Sequence, residues 1–302
     1  MQRTALSFAV VAKDRSRPLL SRLGRRPLAR LAILFPLTLA LYIALQILPR
    51  WAAPKGVAPA PHDLWTIASA ILLCAVMLAV YVGVARWMEG RRAAELAPVP
   101  GAALFLAGLA FGAALFAFAF ALLAFAGAAR LGPWQGVAGL APALALALAA
   151  AIGEEIIFRG VLFRLVEESA GTTVAVATSA LLFGLVHSFN RGATPISTLA
   201  IALEAGVLLA LAFAAARSLW APIGLHLGWN FTEGGVFGQA VSGGHSHGVL
   251  ASTLTGSPLV TGGAFGPEAS LAAIAVSLLA SAALAAIVLR RGEWRAGRRH
   301  PA

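Results

Sequence analysis

The sequence predicts an all-α fold, a polytopic membrane helix bundle of about eight transmembrane segments, and three observations carry that expectation. The 302-residue chain is 60% hydrophobic and only 12% charged, where soluble domains carry roughly 25% charged residues. Apolar runs of about 20 residues, the length that crosses a bilayer, recur along it. The arginines gather at the ends of those runs, as cytoplasmic anchors do, and the mean hydropathy is +0.85.

In order along the chain, residues 1–30 hold Arg3, Lys13, Arg15, Arg17, Arg22, Arg25, Arg26 and Arg30 against the single acid Asp14. They read as a basic cytoplasmic tail. The Arg25-Arg26 pair invites a twin-arginine export signal, but no cleavage-like site follows the next apolar run. Apolar segments are read at 31–48, 65–86, 103–126, 137–157, 173–187, 197–216, 221–234 and 271–290. The segment at 221–234 is short and polar, so it is half-inserted or shielded by its neighbours. Domain organisation follows: a tail (1–30), N-terminal transmembrane helices (31–136), a core segment (137–234), a Gly/Ser-rich loop (235–270), and the last helix with a basic tail (271–302). An even number of crossings places both termini on one side. Arg290, Arg291, Arg295, Arg298 and Arg299 in the C-terminal tail, and the loop around Arg86, Arg91 and Arg92, then share the side of the basic N-terminus. The expected location is the cell (inner) membrane, multi-pass, with both termini cytoplasmic. Only Lys13 and Lys55 are lysines, a bias that suggests a GC-rich bacterial genome.

Several function classes drop out. The net charge of +11 does not signal nucleic acid, since no basic soluble domain hosts it. The single Cys74 excludes a disulfide framework and a cysteine zinc site. Asp14 and Asp63, the only aspartates, both lie outside the apolar segments, which argues against a two-aspartate membrane protease. There is no His-Glu-x-x-His motif. Ser179 and Ser197 lie near His187 but read as small helix-packing residues. The His245/His247 pair in the glycine-rich loop reads as solvated.

What remains is a set of polar groups in apolar helices. Gly153-Glu154-Glu155-Ile156-Ile157-Phe158-Arg159 places two carboxylates where an unpaired one costs several kcal/mol. Glu155 and Arg159 are four apart in the favourable order and form an expected ion pair. Glu154 is rotated about 100° away and lacks a partner on its own helix, which makes it the candidate general base or metal ligand. Phe183 and His187 share a face in the next segment, and so do His226 and Asn230 further on. One carboxylate, two imidazoles and an amide are the groups that a metal-bound or glutamate-activated water requires. Glu204, alone in its apolar segment, is either a partner that orients a site histidine or a protonated inter-helix contact. Arg159 and Arg164 read as the cytoplasmic end of their helix, and Glu233, just after Asn230, as a solvated helix-end residue.

Three motifs, Glu154-Glu155-x-x-x-Arg159, Phe183-x-x-x-His187 and His226-x-x-x-Asn230, resemble those of the CPBP family of intramembrane proteases, which includes the type II CAAX prenyl endopeptidases. The resemblance spans roughly residues 137–234, including the lead-in Ser218-Leu219-Trp220-Ala221-Pro222. It implies a cavity between helices where Glu154 activates the hydrolytic water and His187 and His226 bind that water or a divalent metal, Zn2+. It also implies that Asn230 completes the site or stabilises the oxyanion while Glu155 and Arg159 hold the helix. By the resemblance Glu154, Glu155, Arg159, His187, His226 and Asn230 are the catalytic set, and His187, His226 and Glu154 the metal ligands. The expected enzyme is an intramembrane metalloendopeptidase cutting near the cytoplasmic side. Its partners are the lipid bilayer and a membrane-embedded or lipidated peptide or protein substrate, and it binds no nucleic acid. Two alternatives compete: a non-catalytic immunity or scaffold protein whose polar cluster fixes packing, and a proton-coupled transporter using Glu154, Glu204 and the histidines as a relay.

Overall fold

The structure is a computed structural model and describes residues 26–52 and 59–297. Most of the basic N-terminal tail, Lys55, and Arg298 and Arg299 lie outside the described residues. The described residues form eight principal helices: α1 (Pro27–Ala52), α2 (Pro59–Gly83, continued by a π turn Val84–Met88), α3 (Pro98–Phe125), α4 (Leu140–Ala170), α5 (Thr172–His187), α6 (Pro195–Ala216), α7 (220–236) and α8 (Leu271–Arg290). Six of them (α1, α2, α3, α4, α6 and α8) are long and apolar enough to span a bilayer, rather than the eight expected. The other two are shorter: α5 has 16 residues, and α7 joins an 11-residue α-helix to a six-residue π segment.

Helix α4 departs most from its sequence reading. It does not stop near Ile157 but runs to Ala170, passing through a π segment at Ile156–Phe163. Arg159 is wholly buried there rather than marking a helix end. Its guanidinium donates to Glu155 Oε1 at 2.8 Å and to the Gly206 carbonyl at 3.0 Å, and it lies 4.7 Å from the Phe183 ring centre. A charge neutralised in this way no longer needs water, so the helix continues.

Helix α7 reaches its place through a seam of glycines against α3. A Cβ on Gly224 or Gly228 would come within 2.1 Å of the Phe105 or Leu109 carbonyl oxygen, and Gly108 and Gly112 stand in the same relation to Ala221 and Leu225. Each helix thus presents a Gly-x-x-x-Gly pair, the pattern that lets membrane helices touch backbone to backbone. The seam fixes the rotation of α7 and so the direction in which His226 and Asn230 point.

The connections gather at two opposite ends. At one, Arg30, Glu89, Glu95, Arg164, Glu167 and Arg217 form ion pairs and hydrogen bonds between helices. At the other, a two-residue antiparallel ladder joins β1 (Ala129–Arg130) to β2 (Thr253–Leu254), and the loop 237–268 packs over residues 190–193 and 132–139. The stretch read as a free Gly/Ser loop is therefore partly ordered against its neighbours.

Candidate active site

The three motifs meet between α4, α5 and α7. The His187 Nε2 lies 3.9 Å and the His226 Nε2 4.0 Å from Glu154 Oε2. Tilt and packing of the three helices bring these residues to one level. The tautomers follow from the partners of the other ring nitrogens. The Phe183 carbonyl lies 2.7 Å from His187 Nδ1 and only accepts, so Nδ1 carries the proton there. Glu155 Oε1 lies 3.0 Å from His226 Nδ1 and accepts in the same way. Both Nε2 atoms are left turned toward Glu154.

Glu155 and Arg159 hold this arrangement as expected, and the structure adds a link. Glu155 Oε1 receives both the Arg159 guanidinium and the His226 imidazole, so one carboxylate ties α4 to α7. A carboxylate behind a histidine fixes ring orientation and raises the basicity of the other nitrogen.

Tyr42 was not found from sequence. It reaches across from α1 and donates to Glu154 Oε1 at 2.9 Å, while its ring packs on Gly153 so closely that a Cβ there would lie 2.3 Å away. One Glu154 oxygen is thereby satisfied, and Oε2 is buried with no hydrogen-bond partner among the described residues. An orphaned buried carboxylate oxygen facing two imidazole nitrogens at 3.9–4.0 Å is a costly arrangement unless a water or cation joins it.

A cavity of ≈ 20 Å³ lies on the other side of the histidines, bordered by His187, His226, Asn230, Glu204, Ser242 and Glu268. That is room for about one water. Asn230, the last expected site residue, faces this cavity rather than pairing with another described side chain. Ser242 and Glu268 come from the end opposite the ion-paired arginines, so the cavity is walled from the side away from the basic end. Burial raises the Glu268 carboxyl to about 7, against the Ser242 N–H that favours its charged form. Glu204 accepts from Ser277 at 3.3 Å and makes no hydrogen bond to a site histidine among the described residues. Glu233, expected to be solvated at a helix end, is fully buried and accepts from the Trp229 indole. Ser179 donates to the Phe158 carbonyl and Ser197 forms a capping box with Thr194, which leaves neither as a nucleophile.

Two imidazole nitrogens and a carboxylate oxygen are donors that zinc accepts. Tetrahedral ligands at about 2.0–2.1 Å from zinc, however, lie ~3.4 Å from one another, closer than the 3.9 and 4.0 Å found here. Among the described residues no group of three His, Cys, Asp or Glu side chains is spaced to hold an ion. A water making hydrogen bonds of about 2.8 Å to Glu154 and an imidazole at a near-right angle spans the observed distance.

The described residues thus form a helical bundle with six helices long and apolar enough to cross a membrane, and a cluster of Glu154, His187 and His226 buried inside it. Residues 134–232 match the family model described as Type II CAAX prenyl endopeptidase Rce1-like, and the likeness to the CPBP proteases is shown over that stretch. All six expected site residues fall within it. No curated protein and no solved structure matches the chain.

Proposed function

We propose that the chain is an intramembrane endopeptidase that hydrolyses a peptide bond with a water activated by Glu154. The observation that carries this reading is the bare Glu154 Oε2 facing two imidazole nitrogens whose tautomers are fixed from behind. Water held between Oε2 and Nε2 gives one proton to Glu154 as its oxygen attacks the peptide carbonyl carbon. The carbonyl oxygen takes the negative charge, and Asn230, with hydrogen-bond donors free of described partners, is placed beside the histidines to receive it. The C–N bond then breaks and the Glu154 proton passes to the departing amine, leaving a new carboxyl and a new amino terminus. Tyr42 keeps Glu154 Oε1 occupied, so that Oε2 is the oxygen that works. The family description supports a membrane-embedded or lipidated peptide as the substrate class, and the arginines gathered at the helix ends support both chain termini on the cytoplasmic side of the cell membrane.

The donor chemistry favours a second reading, in which Zn2+ binds His187, His226 and Glu154 and acidifies the same water. It requires the three side chains to close by about half an ångström from their present spacing. Both readings are tested by offering a prenylated CAAX-peptide and membrane-peptide library to the protein in liposomes, with wild type, Glu154→Gln and His226→Ala compared before and after chelation and zinc add-back. Cleavage by wild type alone supports the endopeptidase. Activity that survives exhaustive chelation removes the zinc reading. Wild-type protein that is folded but cuts nothing, or Glu154→Gln that cuts as well as wild type, overturns the proposal.

A further inference from the structure

The basic end holds arginines of two kinds. Arg30, Arg91 and Arg164 are neutralised by Glu89, Glu95 and Glu168 at 2.6–3.0 Å. Arg86 and Arg92 have no carboxylate partner among the described residues, and the nearby acids are already spent. Both oxygens of Glu89 accept from guanidinium groups, and Glu95 accepts from Arg91 and Tyr81. Burial alone would raise Glu89, yet Arg164 and Arg91 hold its carboxyl below the ordinary value, so it stays ionised and committed to them.

The two unpaired arginines, with the ion-paired Arg91 beside them, border one open groove of ≈ 710 Å³ whose remaining wall is largely apolar, with Val82, Leu96, Ala97 and Pro98 in it. It sits where α2 ends in its π turn and α3 begins at Pro98, the level at which a membrane helix passes into water. Trp87, 83% exposed on the same turn, is the residue type that membranes place at that boundary. Two fixed positive charges above an apolar wall match an amphiphile with an anionic head and a hydrocarbon tail. A small soluble anion would use the charges and leave the wall idle.

We propose that this groove is a binding site for the phosphate headgroup of an anionic phospholipid, held by Arg86 and Arg92 with its acyl chain along the Val82 and Leu96 wall. The site is separate from the Glu154 centre, and its test does not depend on peptide cleavage. The full chain in neutral detergent is titrated with phosphatidylglycerol and with phosphatidylcholine, and bound lipid is counted by native mass spectrometry. Wild type is compared with Arg86→Gln/Arg92→Gln, with the single Arg92→Gln, and with Arg290→Gln/Arg291→Gln, which removes equal charge from the same end of the bundle. Each arginine near an anionic surface contributes on the order of 1 kcal/mol, so the double variant is expected to weaken phosphatidylglycerol binding by at least ~10-fold. The single variant falls between, and the Arg290/Arg291 variant stays near wild type. All are exposed positions, and unfolding midpoints check that each variant is folded. Equal loss in both double variants, unchanged binding in Arg86→Gln/Arg92→Gln, or displacement of the lipid by inorganic phosphate would each overturn the proposal.

Discussion

Glu89 and Glu154 are both carboxylates largely removed from water, and the fold treats them in opposite ways. Glu89, at the basic end, has a side chain only 1% exposed, with both oxygens occupied by guanidinium groups of Arg30, Arg91 and Arg164. Glu154, between α4, α5 and α7, has one phenol on Oε1, nothing on Oε2, and no arginine within ion-pair distance among the described residues. A saturated carboxylate fastens helices together and has nothing left to react with. An orphaned one costs stability and keeps a lone pair for chemistry. The difference separates scaffold from site without reference to any relative.

The largest effect expected from that contrast is on catalysis. Replacing Glu154 by Gln keeps the shape and the Tyr42 contact while removing the base, so the cleavage rate on a membrane peptide should fall about 10²–10⁴-fold. Next comes a stability loss. Arg159→Met strands the Glu155 carboxylate in the interior, and breaking a buried pair costs roughly 3–5 kcal/mol. Denaturant unfolding in detergent should show it even where cleavage cannot be measured. Tyr42→Phe sharpens the contrast by removing one oxygen: losing a hydrogen bond to a charged group, worth about 1.5–3 kcal/mol, should lower kcat on the order of 10-fold and leave KM unchanged. In a Glu154→Gln background the same change should add little, because the two act as a unit. A tyrosine that merely packs on Gly153 would leave kcat intact as phenylalanine.

The smallest effect concerns pH. Glu89 has its folded pKa lowered from 4.5, so it stabilises the fold above the unfolded value and stops doing so as pH falls through the folded one. The unfolding midpoint of wild type should therefore exceed that of Glu89→Gln at pH 7, and the gap should close as the pH is taken below about 4.5. A gap that widens on acidification would reverse the sign and contradict the assignment.

Much of the site was legible in the sequence because it is written in local spacing. The i,i+4 rule placed Arg159 on Glu155, and the isolation of polar groups in apolar helices picked out Glu154, His187 and His226. Tyr42 was not legible: it lies 112 residues from Glu154, and nothing in the α1 pattern marks one tyrosine as facing another helix. Arg159 suggested a helix end because an arginine alone seeks water; its partners, the Gly206 carbonyl and the Phe183 ring, lie on other helices. The glycines at 108, 112, 224 and 228 are a signal that was present and unused, and it would have predicted the α3–α7 seam. Glu233 seemed solvated because it lies just past a motif, yet the loop 237–268 folds over it, a contact no periodicity encodes.

The most direct measurement takes Glu154→Gln and Glu89→Gln side by side, recording cleavage rate in liposomes and unfolding midpoint in detergent for each. The account predicts a crossed result: Glu154→Gln folds as well as wild type and cuts nothing measurable, while Glu89→Gln unfolds more easily at neutral pH and still cuts at temperatures where it is folded. Cleavage by Glu154→Gln at the wild-type rate, or an unfolding loss in Glu154→Gln as large as that in Glu89→Gln, would show that Glu154 belongs to the scaffold and would contradict the central claim.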